Sequence, residues 1–178
     1  MNTETMPEFS RMLELEDIAR GGVHRSLEAT SDERASLARR LAVLSIEALS
    51  ADLKITLERD GEIVAIAGTL SAEVTQECVV TLEPVNASIR ASIREKFART
   101  PEIAKEIVID PEREDEIDDY LTDNRIDLGE MVAQCLSLEI EPYPRKEGVD
   151  YGAAEASDEE GAPEGPFARL AQIRRNET

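Results

Sequence analysis

Tryptophan is absent from this chain, phenylalanine and tyrosine occur three times each, and histidine occurs once. A stacking platform for single-stranded nucleic acid needs interleaved aromatic rings, so that mode of recognition has no support in the composition. Catalytic material is equally scarce. There is no glycine-rich phosphate loop, no nucleophile elbow and no metalloprotease helix, and His24 beside the Gly21-Gly22 turn reads as a solvent-facing residue on a strand edge. We therefore expect a protein that is not an enzyme, takes no small-molecule substrate and uses no cofactor. The two cysteines, Cys78 and Cys135, lie far apart, and we read them as free buried thiols behaving like small apolar side chains. No apolar run approaches the roughly 18 residues of a membrane span, and MNTETMPEFSR has neither the basic start nor the apolar stretch of a secretory signal. A cytoplasmic location without membrane contact is the expectation.

Negative charge is abundant: 39 acidic residues against 20 basic ones give a formal charge of −19, which repels nucleic acid at long range. Much of the excess lies in Glu112 to Asp119 (EREDEIDD) and Glu155 to Glu164 (EASDEEGAPE), whereas Arg90, Arg94, Lys96 and Arg99 cluster. The acidic run from Asp110 carries the right ligands for a hard cation. It lacks both the turn glycine and the regular Asp-x-Asp-x-Asp spacing, so no metal site is expected there. It reads as a solvated loop reaching Asn124, or as a mimic of phosphate charge on a basic protein surface.

Periodicity divides the rest. Phe9 to Leu15 and Val23 to Ala29 read as strands, and Ser31 as the N-cap of a helix presenting Leu37, Leu41 and Leu44. From Ile46 the period becomes two. Leu53, Ile55 and Leu57 alternate with polar residues up to the Asp60-Gly61 hairpin signal, and Val64, Ile66, Leu70 and Val74 share the even face of the return strand around Gly68. Cys78, Val80 and Leu82 are expected to continue that face. Val85, Ala87, Ile89, Ala91, Ile93 and Phe97 then occupy odd positions, with Asn86, Ser88, Arg90, Ser92, Arg94 and Lys96 on even ones. Thr100 to Lys105 reads as a short helix and Ile107 to Ile109 as a short strand. Asp127 caps a second helix with Glu130 placed to reach back to the cap, on an apolar face of Leu128, Val132 and Cys135. A short apolar strand and the Pro142-Tyr143-Pro144 stop complete that passage.

Arg90, Arg94 and Lys96 fall on one strand face, about 7 Å per two-residue step, a spacing suited to successive phosphates. They are the candidate contact for RNA or a partner; an ordinary charged face with Glu58 or Glu73 as cross-strand partners is the other reading. After Arg145 the composition turns to Gly, Ala, Glu, Asp, Ser and Pro. We divide the chain into one domain over 1–148, an acidic disordered linker over 149–164 and a docking segment over 165–178, anchored by Phe167, Leu170 and Ile173. The fold class expected is α+β: an antiparallel sheet of about five to seven strands, with curling toward a barrel left open, flanked by helices near Ser31 to Leu44 and Asp127 to Ser137.

Three blocks resemble the YceD-like family of large ribosomal RNA subunit accumulation proteins: CVVTLEPV from Cys78, RIDLGEMVAQCLSLEIEPYPR from Arg125 and GPFARLAQI from Gly165. Many members carry Cys-x-x-Cys-Leu at the first block, suggestive of zinc. Here Thr81 stands at the second cysteine position and no cysteine follows Arg145, so the expectation is a metal-free protein. The resemblance implies a non-catalytic factor supporting large-subunit ribosomal RNA accumulation, through ribosome assembly or RNA processing. Its partner would be ribosomal RNA, a pre-ribosomal particle or a protein bound to one. The alternative is an acidic module that holds a basic ribosomal protein or processing enzyme without touching RNA.

Overall fold

The computed structural model describes residues 7–19, 21–99, 119–121 and 123–148. The chain divides into two compact units, Met1–Lys146 and Glu147–Thr178. In the first, the elements run β1 (Met12–Glu14), β2 (Val23–Glu28), α1 (Ser31–Arg40), β3 (Ser45–Glu58), β4 (Ile63–Glu77), β5 (Pro84–Ala98), β6 (Asp119–Tyr120), β7 (Arg125–Asp127) and α2 (Leu128–Glu139). The short helix expected over 100–105, the strand over 107–109, the start of the acidic loop and everything expected of 149–178 lie outside the described residues.

Long alternating segments become long strands. β3, β4 and β5 form an antiparallel meander at the centre of a five-stranded sheet ordered β2-β3-β4-β5-β6. Its register sets Leu53 opposite Gly68, Ile55 opposite Ile66, Leu70 opposite Ala91 and Gly68 opposite Ile93, all on one face. That inner face is the core. Leu49, Leu53, Ile55, Val64, Ile66, Leu70, Val74 and Ile93 are buried there with Leu37 of α1 and Leu128, Val132 and Leu136 of α2. Each such aliphatic side chain contributes roughly 1.5–3 kcal/mol by leaving water.

The sheet does not close. Among the described residues β2 and β6 are its two edges, and the helices cover the apolar face that a barrel would have enclosed. The two-residue β6 runs parallel to β5, so that edge departs from the antiparallel expectation and takes Asp119 and Tyr120 out of the loop predicted there. β1 and β7 pair separately as a small antiparallel ribbon, with Leu13 opposite Ile126.

Local chemistry moved several boundaries. The first strand shrinks to Met12–Glu14 because Phe9 is buried ahead of it and a 3₁₀ turn, Leu15–Asp17, follows. Thr30, not Ser31, caps α1: its hydroxyl accepts from Glu33 N at 3.4 Å while its own N–H donates to Glu33 Oε2 at 2.8 Å. That reciprocal pair needs a glutamate three positions on, which Thr30 has. α1 ends at Arg40, Ala42 turns at φ 54, and Leu44 points outward at 53% exposure instead of joining the helix face. α2 runs to Glu139, Ile140 caps it, and no strand follows among the described residues. Cys78 is buried, but the strand ends at Glu77 and the connection turns through Leu82 at φ 60, leaving Leu82 67% exposed.

Two outcomes follow. A Cβ on Gly68 would stand 2.1 Å from the Asp52 carbonyl oxygen and 2.9 Å from Leu53 Cδ2. Gly68→Ala should therefore lower stability by about 1–3 kcal/mol, seen as a lower urea midpoint at unchanged slope. Arg11 grips Glu33 at 2.7 and 3.0 Å, and that contact outweighs partial burial and draws the Glu33 carboxyl from its ordinary 4.5 to about 2. With the folded value depressed, this contribution is complete above pH 4.5 and fades as pH falls through about 2. Glu33→Gln should flatten the acid loss of stability across that window by about 1 kcal/mol, the pair being partly solvated.

Candidate nucleic-acid interface

Because most inward positions of the meander are apolar, with Gln76 and Glu95 the polar exceptions, its other polar positions fall mainly on the opposite face. Ser50, Asp52 and Lys54 of β3, Ala67 and Thr69 of β4, and Arg90, Ser92 and Arg94 of β5 are exposed there. The predicted strip thus lies on one open surface. Its members differ in state. Lys96 Nζ is 3.5 Å from Glu58 Oε2, the cross-strand partner weighed from the sequence, so its charge is shared. Glu73 accepts from Ser88 Oγ at 2.7 Å and takes no arginine. The Arg90 and Arg94 side chains make no hydrogen bond or ion pair with described residues.

Cross-strand register adds residues that the strip left out. One row across the outer face runs His24, Lys54, Ala67, Arg94; the next runs Ser26, Asp52, Thr69, Ser92. A shallow depression of about 520 Å³ opens there, lined by His24, Ser26, Asp52, Lys54, Ala67 and Thr69 among others. His24 lies exposed on the edge strand β2. Lys54 was visible as a wet-face residue in the alternation. Its neighbours were not, since register between β2 and β3 cannot be counted through α1.

Cys78 occupies the turn after β4. Its sulfur accepts from Thr81 N at 3.5 Å, and Val79 N donates to Pro144 O at 3.0 Å, which holds the segment after α2 against this turn. The Thr81 hydroxyl first, then the backbone N–H groups of Thr81, Lys146 and Val80, lower the thiol from its ordinary 9.0 to about 6. Cys135 goes the other way. Burial, with Glu95 beside it accepting at 3.8 Å, pushes it up to about 11. Both thiols are free. The donor set does not fit tetrahedral zinc: Thr81 supplies a hydroxyl to a sulfur already taken up by N–H donors, and among the described residues no three His, Cys, Asp or Glu side chains converge. The tail anchors Phe167, Leu170 and Ile173 lie outside the described residues. No helix among those described is long and apolar enough to cross a membrane.

Fold and surface together define an α+β domain that, among the described residues, sets two helices on one side of a mostly antiparallel sheet whose other side is exposed and polar. Residues 66–174 match the family model of the large ribosomal RNA subunit accumulation protein YceD, and the chain belongs to that family. Neither a curated protein nor a solved structure matches it. The family name implies a role in accumulation of the large ribosomal subunit RNA.

Thr81→Val keeps the backbone donors to the Cys78 sulfur and removes the hydroxyl, which is the strongest influence on that sulfur and also accepts from Glu83 N at 3.4 Å. The Cys78 titration should move up from about 6 toward 9.0, read by thiolate ultraviolet absorbance against pH in a Cys135→Ala background.

Proposed function

We propose that this protein is a non-catalytic cytoplasmic factor that supports large-subunit ribosomal RNA accumulation by contacting ribosomal RNA or a pre-ribosomal particle through the β5 face bearing Arg90, Arg94 and Lys96. The supporting observation is the pair Arg90 and Arg94, exposed and without partner among the described residues of a chain whose formal charge is −19. In so acidic a protein, carboxylates are at hand to neutralise cations, and two arginines left open on one face are suited to phosphate. The acidic remainder limits nonspecific adhesion to other nucleic acid. The charge of −19 also favours a second reading, in which the acidic runs hold a basic ribosomal protein or processing enzyme and the anchors Phe167, Leu170 and Ile173 secure it.

Reversal of Arg90, Arg94 and Lys96 to Glu should abolish co-sedimentation with pre-ribosomal particles in a density gradient. A chain truncated after Gly148 should retain it. Unchanged sedimentation of the reversed chain together with loss in the truncated one would transfer the role to the second reading.

A further inference from the structure

Cations without a partner among the described residues are not confined to β5 on the open face. Lys54 of β3 is set opposite Ala67 of β4, Ala67 opposite Arg94 of β5, and on the far side His24 of β2 opposite Lys54. Strands lie about 4.8 Å apart, so the Lys54 and Arg94 backbones are separated by about 10 Å with only the short Ala67 side chain between, and His24 extends the row to about 14 Å. None of the three polar side chains hydrogen-bonds or ion-pairs with a described residue. Several cations elsewhere in the domain are held in ion pairs, Arg11 with Glu33, Arg40 with Glu8 and Glu130, and Lys146 with Glu83.

The depression of about 520 Å³ lies over the His24, Lys54 and Ala67 part of this row, beside Arg94, and small side chains there let a backbone come close. Ser26, Thr69 and Ser92 in the adjacent row have hydroxyls without protein partners among the described residues. They can donate to phosphate oxygens. Asp52 stands among them and would repel a free anion. A polyribonucleotide is compatible with it, because ribose hydroxyl and base amino groups donate to a carboxylate while the phosphates sit on Lys54 and Arg94.

We infer that His24, Lys54 and Arg94 form one phosphate-contacting row across the strands, so that an RNA backbone crosses the sheet over Ala67 instead of following β5 alone. This rests on the reading above that the protein binds RNA, and adds Lys54 and His24 together with a direction of passage.

The test uses the full chain and large-subunit ribosomal RNA transcribed in vitro, with filter binding across a salt series. Lys54→Ala should weaken binding several-fold and reduce the slope of log affinity against log salt by about one, as loss of one phosphate contact requires. Ala67→Glu, which puts a carboxylate between the cations, should weaken it at least as much. Arg39→Ala on α1 should bind as the native chain does, and urea unfolding confirms that each variant is folded. If the native chain binds and Arg94→Ala weakens it, yet Lys54→Ala and Ala67→Glu bind normally, the crossing row is wrong and the β5 strip stands. If the native chain binds no RNA, the strip and the row both fall.

Discussion

The Asp127 carboxylate joins parts of the domain that no hydrophobic contact would orient by itself. Its Oδ1 accepts from Gly129 N at 3.0 Å and Glu130 N at 3.2 Å, capping α2, and from Arg11 N at 2.7 Å; its Oδ2 accepts from Ser10 Oγ at 2.6 Å. One side chain thereby satisfies the first turn of α2 and fixes the N-terminal segment beside it. The fit is close. A Cβ on Gly129 would stand 2.5 Å from the Phe9 carbonyl oxygen, so the helix start and the chain around Phe9 lie nearly backbone to backbone. Removing Asp127 would leave several donors without an acceptor at the place where β1, β7 and α2 meet.

Ion pairs continue this joining on the helical side. Glu130, positioned by sequence to reach back to its own cap, instead takes Arg40 of α1 at 2.6 and 2.7 Å, and Arg40 also holds Glu8 at 3.0 Å. A cationic partner across the helix interface outcompetes a reach-back to a backbone N–H, because charge-assisted bidentate contacts are the stronger. Arg11 breaks the alternation of its segment for a similar reason: it leaves the strand pattern to clamp Glu33 and to lie 4.7 Å from the centroid of the Phe9 ring. Charge on the helical side is therefore spent on structure. On the open face of the meander, by contrast, Lys54, Arg90 and Arg94 have no ion-pair partner among the described residues.

The candidate surface was partly readable in advance. Period-two alternation placed Arg90, Arg94 and Lys96 on one wet face, since a strand leaves a residue no other choice of side. It could not tell which of them would be neutralised. Glu58 meets Lys96 because the hairpin at Asp60-Gly61 brings the end of β3 beside β4, and long side chains reach across to β5. The Lys54 and Arg94 row likewise needs two hairpin registers at once. The alternation persists through Val80 and Leu82 and reads as continued strand, even though the backbone turns after Glu77.

Sequence alone determined the alternation and inner faces of β3, β4 and β5, the helices α1 and α2, and the loss of a second cysteine at Thr81, because these depend on side-chain chemistry along the chain. The tertiary structure decided what depends on residues distant in sequence. Helices packed on one face keep the sheet from closing into a barrel, a parallel β6 takes residues from a predicted loop, and strand pairing gathers His24, Lys54 and Arg94 across one surface. Local pattern assigns a residue to a side of its strand; only pairing between strands assigns it a neighbour.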